Sequence, residues 1–309
     1  MTKTADVMHP PSDGAGTALT RRPGPAVAIC VCGKPRHRGM CSERWRLRRA
    51  GEGLPPMPVR RASSPSGTPK RRFIEHTPAG NPYELTADHA AVLTGRTLFL
   101  ARTNEPALME RLFKGGENNR KIGGRIDKGH LRGAKVFTLT LEERATCPRS
   151  CSHWRDCYGN NLNWPTRIAA DDDLMPLLEA ELRKLCARHA KILVRLHVLG
   201  DFFSLEYVAF WKRMLETLPG LHVYGYTARH GCDIAWAIDA LNGHARCWIR
   251  FSDGDDGQFR AVTVDTIEQA REAGAIVCPA QNEPPGKSIC CSNCALCWST
   301  PRTIAFLRH

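Results

Sequence analysis

Fourteen cysteines in 309 residues carry most of the chemistry this sequence can do, and eleven of them fall into three groups. Cys30, Cys32 and Cys41 lie in a short basic island, Cys147, Cys151 and Cys157 follow a strand-like run, and Cys278, Cys290, Cys291, Cys294 and Cys297 share one later loop. In a reducing compartment that many thiols point to metal or cluster ligation ahead of disulfides. Cys291, Cys294 and Cys297 keep the two-residue gaps that turn successive thiolates toward one iron–sulfur cluster, with Cys278 as a distant fourth ligand; tetrahedral zinc would accept the same set. The gaps in the Cys147 trio are three and five residues. Three thiolates either leave one position open on a four-iron cluster for substrate or cofactor, or close on a structural zinc with His153 or a later cysteine as the fourth ligand. Cys186, Cys232 and Cys247 stand singly in helix- or strand-patterned segments and read as small buried thiols.

Composition bounds the rest. With 42% apolar and 24% charged residues the chain reads as globular, and no run approaches the roughly eighteen apolar residues of a membrane span. The first thirty residues lack the apolar block of a signal peptide, so the expected location is cytoplasmic with no membrane contact. Charge is uneven: residues 1–76 hold 15 Lys+Arg against 5 Asp+Glu, a balance of +10, which leaves +3 of the total +13 for the remainder. Residues 1–28 and 51–72 are rich in Pro, Gly and Ser and read as a disordered arm and a flexible linker. Between them, residues 29–50 read as a zinc-knuckle-like module with Cys30, Cys32, His37 and Cys41 as ligands. Its tail sets Arg44, Arg46, Arg48 and Arg49 around Trp45, a clamp for a phosphate backbone with one stacking ring, which predicts a nucleic-acid partner.

From residue 73 to 309 short apolar runs alternate with helical periods. Strands are predicted over 136–141, 192–198, 221–226, 246–251 and 275–278. Helices are predicted between them, the clearest carrying Leu174, Leu177, Leu178, Leu182 and Leu185 at three- and four-residue steps. The alternation implies an α/β class with a mostly parallel sheet, wound as a partial (βα) barrel-like core with the Cys-rich loops at the carboxyl ends of its strands. Along each strand one face is apolar and the other polar, with Arg195 and His197 predicted to share the polar face. Loops beyond the strand ends then collect the candidate site. Tyr158, Asn160, Gly200 and Asp201 are candidates for cofactor binding. His197, Asp201, Arg229 and Arg250 are candidates for catalysis, with Asp201 orienting a cofactor amine and the two arginines gripping a carboxylate or phosphate of a small-molecule or nucleotide substrate. Three further segments have plain structural roles: "DDD" at 171–173 complements the dipole of the helix that follows, "SDGDDGQ" at 252–258 is a turn, and the Gly-rich stretch 114–129 is a loop.

At "FTLTLEERATCPRSCSHWRDCYGNN", "RLHVLGDFFSLEYVAFWKRMLETLPGLHVYGYTAR" and "CPAQ…CSNCALCWSTPRTIAFLRH" the chain resembles the phage gene product 88 family over roughly residues 95–309. That resemblance implies a phage-type protein and brings no reaction with it. The island is similar to short zinc motifs ending in Cys-x2-His, with Arg44 where the histidine would stand. A more distant similarity concerns radical S-adenosylmethionine enzymes. Cys290, Cys294 and Cys297 have the gaps of their cysteine loops, and the order of a Cys147 loop after the first strand and Gly200–Asp201 after the second matches theirs. Two functions follow as expectations: an iron–sulfur, S-adenosylmethionine-using enzyme with a nucleic-acid-binding arm, or a non-catalytic zinc protein that contacts nucleic acid.

Overall fold

The computed structural model describes residues 84–255 and 257–308. The arm, the island with Cys30, Cys32, His37 and Cys41, the linker, and the first residues of the α/β region therefore lie outside the described residues.

Four strands form the centre in chain order: β3 (Lys135–Thr138), β5 (Ile192–Leu196), β6 (Leu221–Thr227) and β7 (Cys247–Ser252), each parallel to the next. Helices α2 (Leu174–Arg188), α3 (Leu205–Thr217) and α4 (Asp233–Asn242) make the crossovers. Their buried stripes, such as Leu174, Leu178, Leu182 and Leu185, join Val194, Leu196, Val223 and Ile249 in one apolar layer. All three helices thus cover one face of the sheet, as successive crossovers of one hand require. Helix α3 contributes Tyr207, Phe210 and Trp211, all essentially inaccessible, each worth roughly 2 kcal/mol or more of apolar transfer. Ser204 caps that helix by accepting the Tyr207 N–H at 3.1 Å.

Short elements complete the sheet. Strand β2 (Lys114–Gly115) adds antiparallel to β3, while β8 (Arg260–Val264), β10 (Ile304–Leu307) and β9 (Ile276–Val277) extend the other side in parallel, giving the order β2-β3-β5-β6-β7-β8-β10-β9. A separate pair joins β1 (Thr103–Asn104) to β4 (Arg167–Ile168). The expected barrel-like winding is corrected here: the sheet is open. Its edge strands are two residues long and do not meet, whereas closure needs strands of matched length with a continuous stagger. The face that a barrel would turn inward is covered instead. Ile122 and Ile126 of the Gly-rich stretch, and Leu131 just after it, pack there with Cys297 and Trp298 against Leu193 and Tyr224. No helix among the described residues is long and apolar enough to cross a membrane.

One face assignment also changes. His197 leaves β5 at φ +46°, a left-handed conformation that few side-chain-bearing residues adopt. Its ring turns into the helix-covered layer, edge-on to Phe202 and with Nε2 3.1 Å from the Tyr207 hydroxyl. Arg195 stays on the opposite face over the rings of Tyr224 and Tyr226.

Candidate functional site

The Cys147 loop is held by charges buried immediately after β3. Glu143 and Arg167 are 1% and 0% exposed and meet through two contacts of 2.7 and 2.9 Å. Thr97 Oγ1 donates to the same carboxylate at 2.6 Å, and Arg167 also reaches the carbonyls of Gly159 and Leu162. Arg144, at φ +63°, donates to Trp154 O at 3.0 Å and to Asn160 Oδ1 at 2.6 Å. Asn160 in turn donates to Arg155 O, so this candidate cofactor ligand shapes the loop from within. Tyr158 is 44% exposed at the loop's end.

Gly200 and Asp201 follow β5 as the sequence predicts. Gly200 has φ +88°, and a Cβ there would lie 2.7 Å from both Leu141 Cβ and Thr146 Oγ1, so only glycine fits the turn. Asp201 is 2% exposed. Its carboxylate accepts the N–H groups of Phe202 and Ala228, both at 2.7 Å, and its own N–H donates to Thr146 Oγ1 at 3.1 Å. Arg229 donates to Phe202 O at 2.8 Å and to Thr146 O at 2.9 Å. Asp201 and Arg229 therefore knit together the exits of β3, β5 and β6.

Burial pushes Asp201 up to about 6 against the pull of those donors. The Cys147 thiol is pushed well up by burial and then by the charges of Asp201, Cys157 and Cys151. Burial likewise raises Cys151 to about 12 and Cys157 to about 11, with Glu143 the next contributor at Cys157. The three thiols and the carboxylate thus share one electrostatic neighbourhood, in which the thiols stay protonated at neutral pH unless a cation enters, while Asp201 at about 6 is mostly ionised. Among the described residues no three His, Cys, Asp or Glu side chains close to ligating distance around one point.

The later thiols form a second centre under the sheet. Cys278 follows β9, and α6 (Cys291–Cys294) is joined to α7 (Leu296–Ser299) through Ala295 at φ +65°. Cys278, Cys291, Cys294 and Cys297 line one cavity of about 10 Å³ with Trp298 and Ile304. Cys290 lies away from it, with its sulfur beside Gly123. Main-chain bonds from Cys291 N to Lys121 O and Ser292 N to Ile122 O dock the segment on the Gly-rich stretch. A Cβ on Gly123 would sit 2.3 Å from Ser292 Oγ, so that glycine permits the docking. Cys297 Sγ lies 3.0 Å from the Tyr226 hydroxyl. A hydrogen bond from Cys291 draws Cys297 down to about 6 despite burial, with help from Tyr226, Arg250 and Arg195.

Arg250, expected to grip a substrate anion, is 0% exposed. Its five N–H groups go to the carbonyls of Cys297, Arg260, Arg302, Leu296 and Thr300, which leaves none for a ligand and makes Arg250 the clamp of the thiol segment. His197 is pushed down to about 3 by burial and stays neutral.

One cluster was not legible in the sequence. His153 sits between Asp156 and Asp253, with Nδ1 and Nε2 each 3.1 Å from a carboxylate oxygen and Nε2 3.0 Å from Thr263 Oγ1. Arg308 pairs with Asp156 at 3.1 Å and with Asp265 at 2.9 Å. The bonds to Asp156 and Asp253 raise His153 from 6.5 to about 9. A raised histidine contributes stability that is fully present below pH 6.5 and lost as pH climbs through about 9. Melting curves between pH 6 and 10 should therefore show a loss of about 1–2 kcal/mol that is missing in His153→Gln. Equal profiles for the two proteins would refute the assignment.

Comparison with known proteins places these features in context. A family model described as gene product 88 matches residues 110–300. The Gene 88 protein of Mycobacterium phage L5 is 29% identical over 163 residues, which cover 47% of this chain and 68% of that protein. No solved structure matches.

Proposed function

Because this chain belongs to the gene product 88 family, with a relative encoded by a phage, we propose that it is a phage-type iron–sulfur enzyme. Its reaction site is the crevice beyond β3, β5 and β6. Cys147, Cys151 and Cys157 would hold a four-iron cluster, and Cys278, Cys291, Cys294 and Cys297 would hold a second metal centre that ties the later thiol segment to the sheet. The observation that supports this is the shared buried neighbourhood of Cys147, Cys151, Cys157 and Asp201 at the carboxyl ends of two adjacent parallel strands. A cluster with an open iron supplies electron transfer to a bound ligand, S-adenosylmethionine being the class expected. The chain's own residues supply the rest. Asp201, anchored by the Phe202 and Ala228 N–H groups, presents a carboxyl to a ligand amine, and Arg229 keeps the three loops in register. The basic arm, with its zinc-knuckle-like island, delivers the enzyme to nucleic acid.

Anaerobic purification and reconstitution should yield a brown protein with iron and sulfide, and Cys147→Ser should remove the iron of the open cluster. Stoichiometric zinc without iron would favour the alternative, a non-catalytic zinc protein. What favours that alternative is the cavity among the later thiols, which has room for about one water-sized sphere and so for a single ion. Deleting residues 1–72 should weaken nucleic-acid binding and flatten its salt dependence; binding insensitive to salt would remove that role from the arm.

A further inference from the structure

Arg195 differs from the other arginines in the interior of this fold. Arg167, Arg229, Arg246 and Arg250 spend donors on named carbonyls or carboxylates, and Arg144 does so through Nε and Nη2 while its Nη1 is buried without a partner. The guanidinium of Arg195 has neither hydrogen bond nor ion pair among the described residues. Among the described residues no carboxylate lies within 4 Å of it, and no sulfur comes close enough to accept. The residue is half-buried and none of its nitrogens is sealed from solvent, so its N–H groups are held in place by the fold and stay open to an incoming acceptor.

Its surroundings define the kind of ligand. The guanidinium carbon lies 4.2 Å from the ring centroid of Tyr226 and 5.5 Å from that of Tyr224. With the guanidinium beside these rings and no protein acceptor on its N–H groups, its fork is free, and a guanidinium fork receives a planar or tetrahedral oxyanion bidentately. The position also matters. The charge of Arg195 acts on Tyr158 at the end of the first cysteine loop, and on Cys291 and Cys297 of the second, so it lies within electrostatic reach of both cysteine segments.

We propose that Arg195, beside the rings of Tyr224 and Tyr226, anchors an oxyanion subsite that receives the carboxylate or phosphate of a ligand near the two cysteine groups. The proposal rests on that crevice being the reaction site, and it names the substrate class as anionic. It differs from the sequence expectation, which gave the anion to Arg229 and Arg250, both of which are committed to main-chain carbonyls.

Inorganic phosphate on the full chain is the probe. Against sodium chloride of equal ionic strength, millimolar phosphate should raise the melting temperature of the wild type by roughly 2–6 °C in a saturable way. Arg195→Gln should lose that rise. Arg195→Lys should keep a reduced one, because an ammonium retains the charge without the fork. Melting of each variant in chloride reports folding independently of the anion. An equal rise in wild type and Arg195→Gln, or none in the wild type, would overturn the proposal. So would a parallel loss of bound metal in Arg195→Gln, which would make Arg195 the counter-charge of the thiol centre. A protein with zinc and no iron that still shows the Arg195-dependent response would refute the iron–sulfur function and leave this subsite standing.

Discussion

Arg167→Leu is expected to destabilise the protein by about 3–5 kcal/mol, measured as a drop in the urea midpoint at unchanged slope. The size comes from what the substitution leaves behind. Glu143 is 1% exposed and would keep its charge with only the Thr97 hydroxyl for a partner, while the Leu162 carbonyl would lose its Arg167 donor and the Gly159 carbonyl would keep only the Leu162 N–H. Breaking one side of a buried pair costs far more than the pair contributes as a whole, because the surviving charge has neither water nor counter-ion. The double variant Glu143→Gln, Arg167→Met should therefore be more stable than Arg167→Leu alone. A loss below about 1 kcal/mol would mean that water reaches Glu143. The substitution also bears on function: Gly159 and Leu162 follow Cys157 directly, so loosening them should increase alkylation of that thiol at neutral pH.

Arg250→Leu should have a comparable effect at the second centre. Five carbonyls between residues 260 and 302 lose their donor at once, and each that stays buried costs about 1–3 kcal/mol. The expected result is a stability loss of about 4 kcal/mol or more and release of the segment carrying Cys294 and Cys297 from the sheet. Iodoacetamide labelling read by mass spectrometry should then rise sharply at Cys297, which is 7% exposed in the intact protein. Labelling of Cys186, on α2 in the opposite layer, should not change. If Arg250 gripped a substrate instead, the variant would melt like the wild type and Cys297 would stay protected.

The helices and central strands could be read from the chain because each records a local rule. The Leu174 stripe repeats every three or four residues, and the run from Ile192 to Leu196 is apolar enough to be buried on both faces. Strands β8 and β10 escaped that reading. Arg260–Val264 and Ile304–Leu307 are strands because they pair with each other, and pairing across some forty residues leaves no local period. The left-handed turn at His197 was equally hidden. Strict alternation put it beside Arg195, whereas a left-handed residue ends the alternation and sends its ring to the other layer.

Sequence alone determined that closely spaced thiols collect in loops beyond parallel strands, that Gly200–Asp201 follows the second of them, and that most of the net positive charge belongs to residues 1–76. These are matters of composition, spacing and period, which a chain displays without folding. Tertiary structure alone decided which cysteines face one another and which arginine remains available. Cys291 lines the thiol cavity and Cys290 does not because Gly123 lets the segment dock closely on the loop at Lys121 and Ile122. Arg250 is spent and Arg195 is not because the carbonyls that satisfy Arg250 arrive from residues 260–302, while among the described residues nothing comparable reaches the Arg195 guanidinium beside its two rings. A hydrogen-bond donor is available or consumed only through its neighbours in space, and those neighbours are supplied by the packing of distant segments.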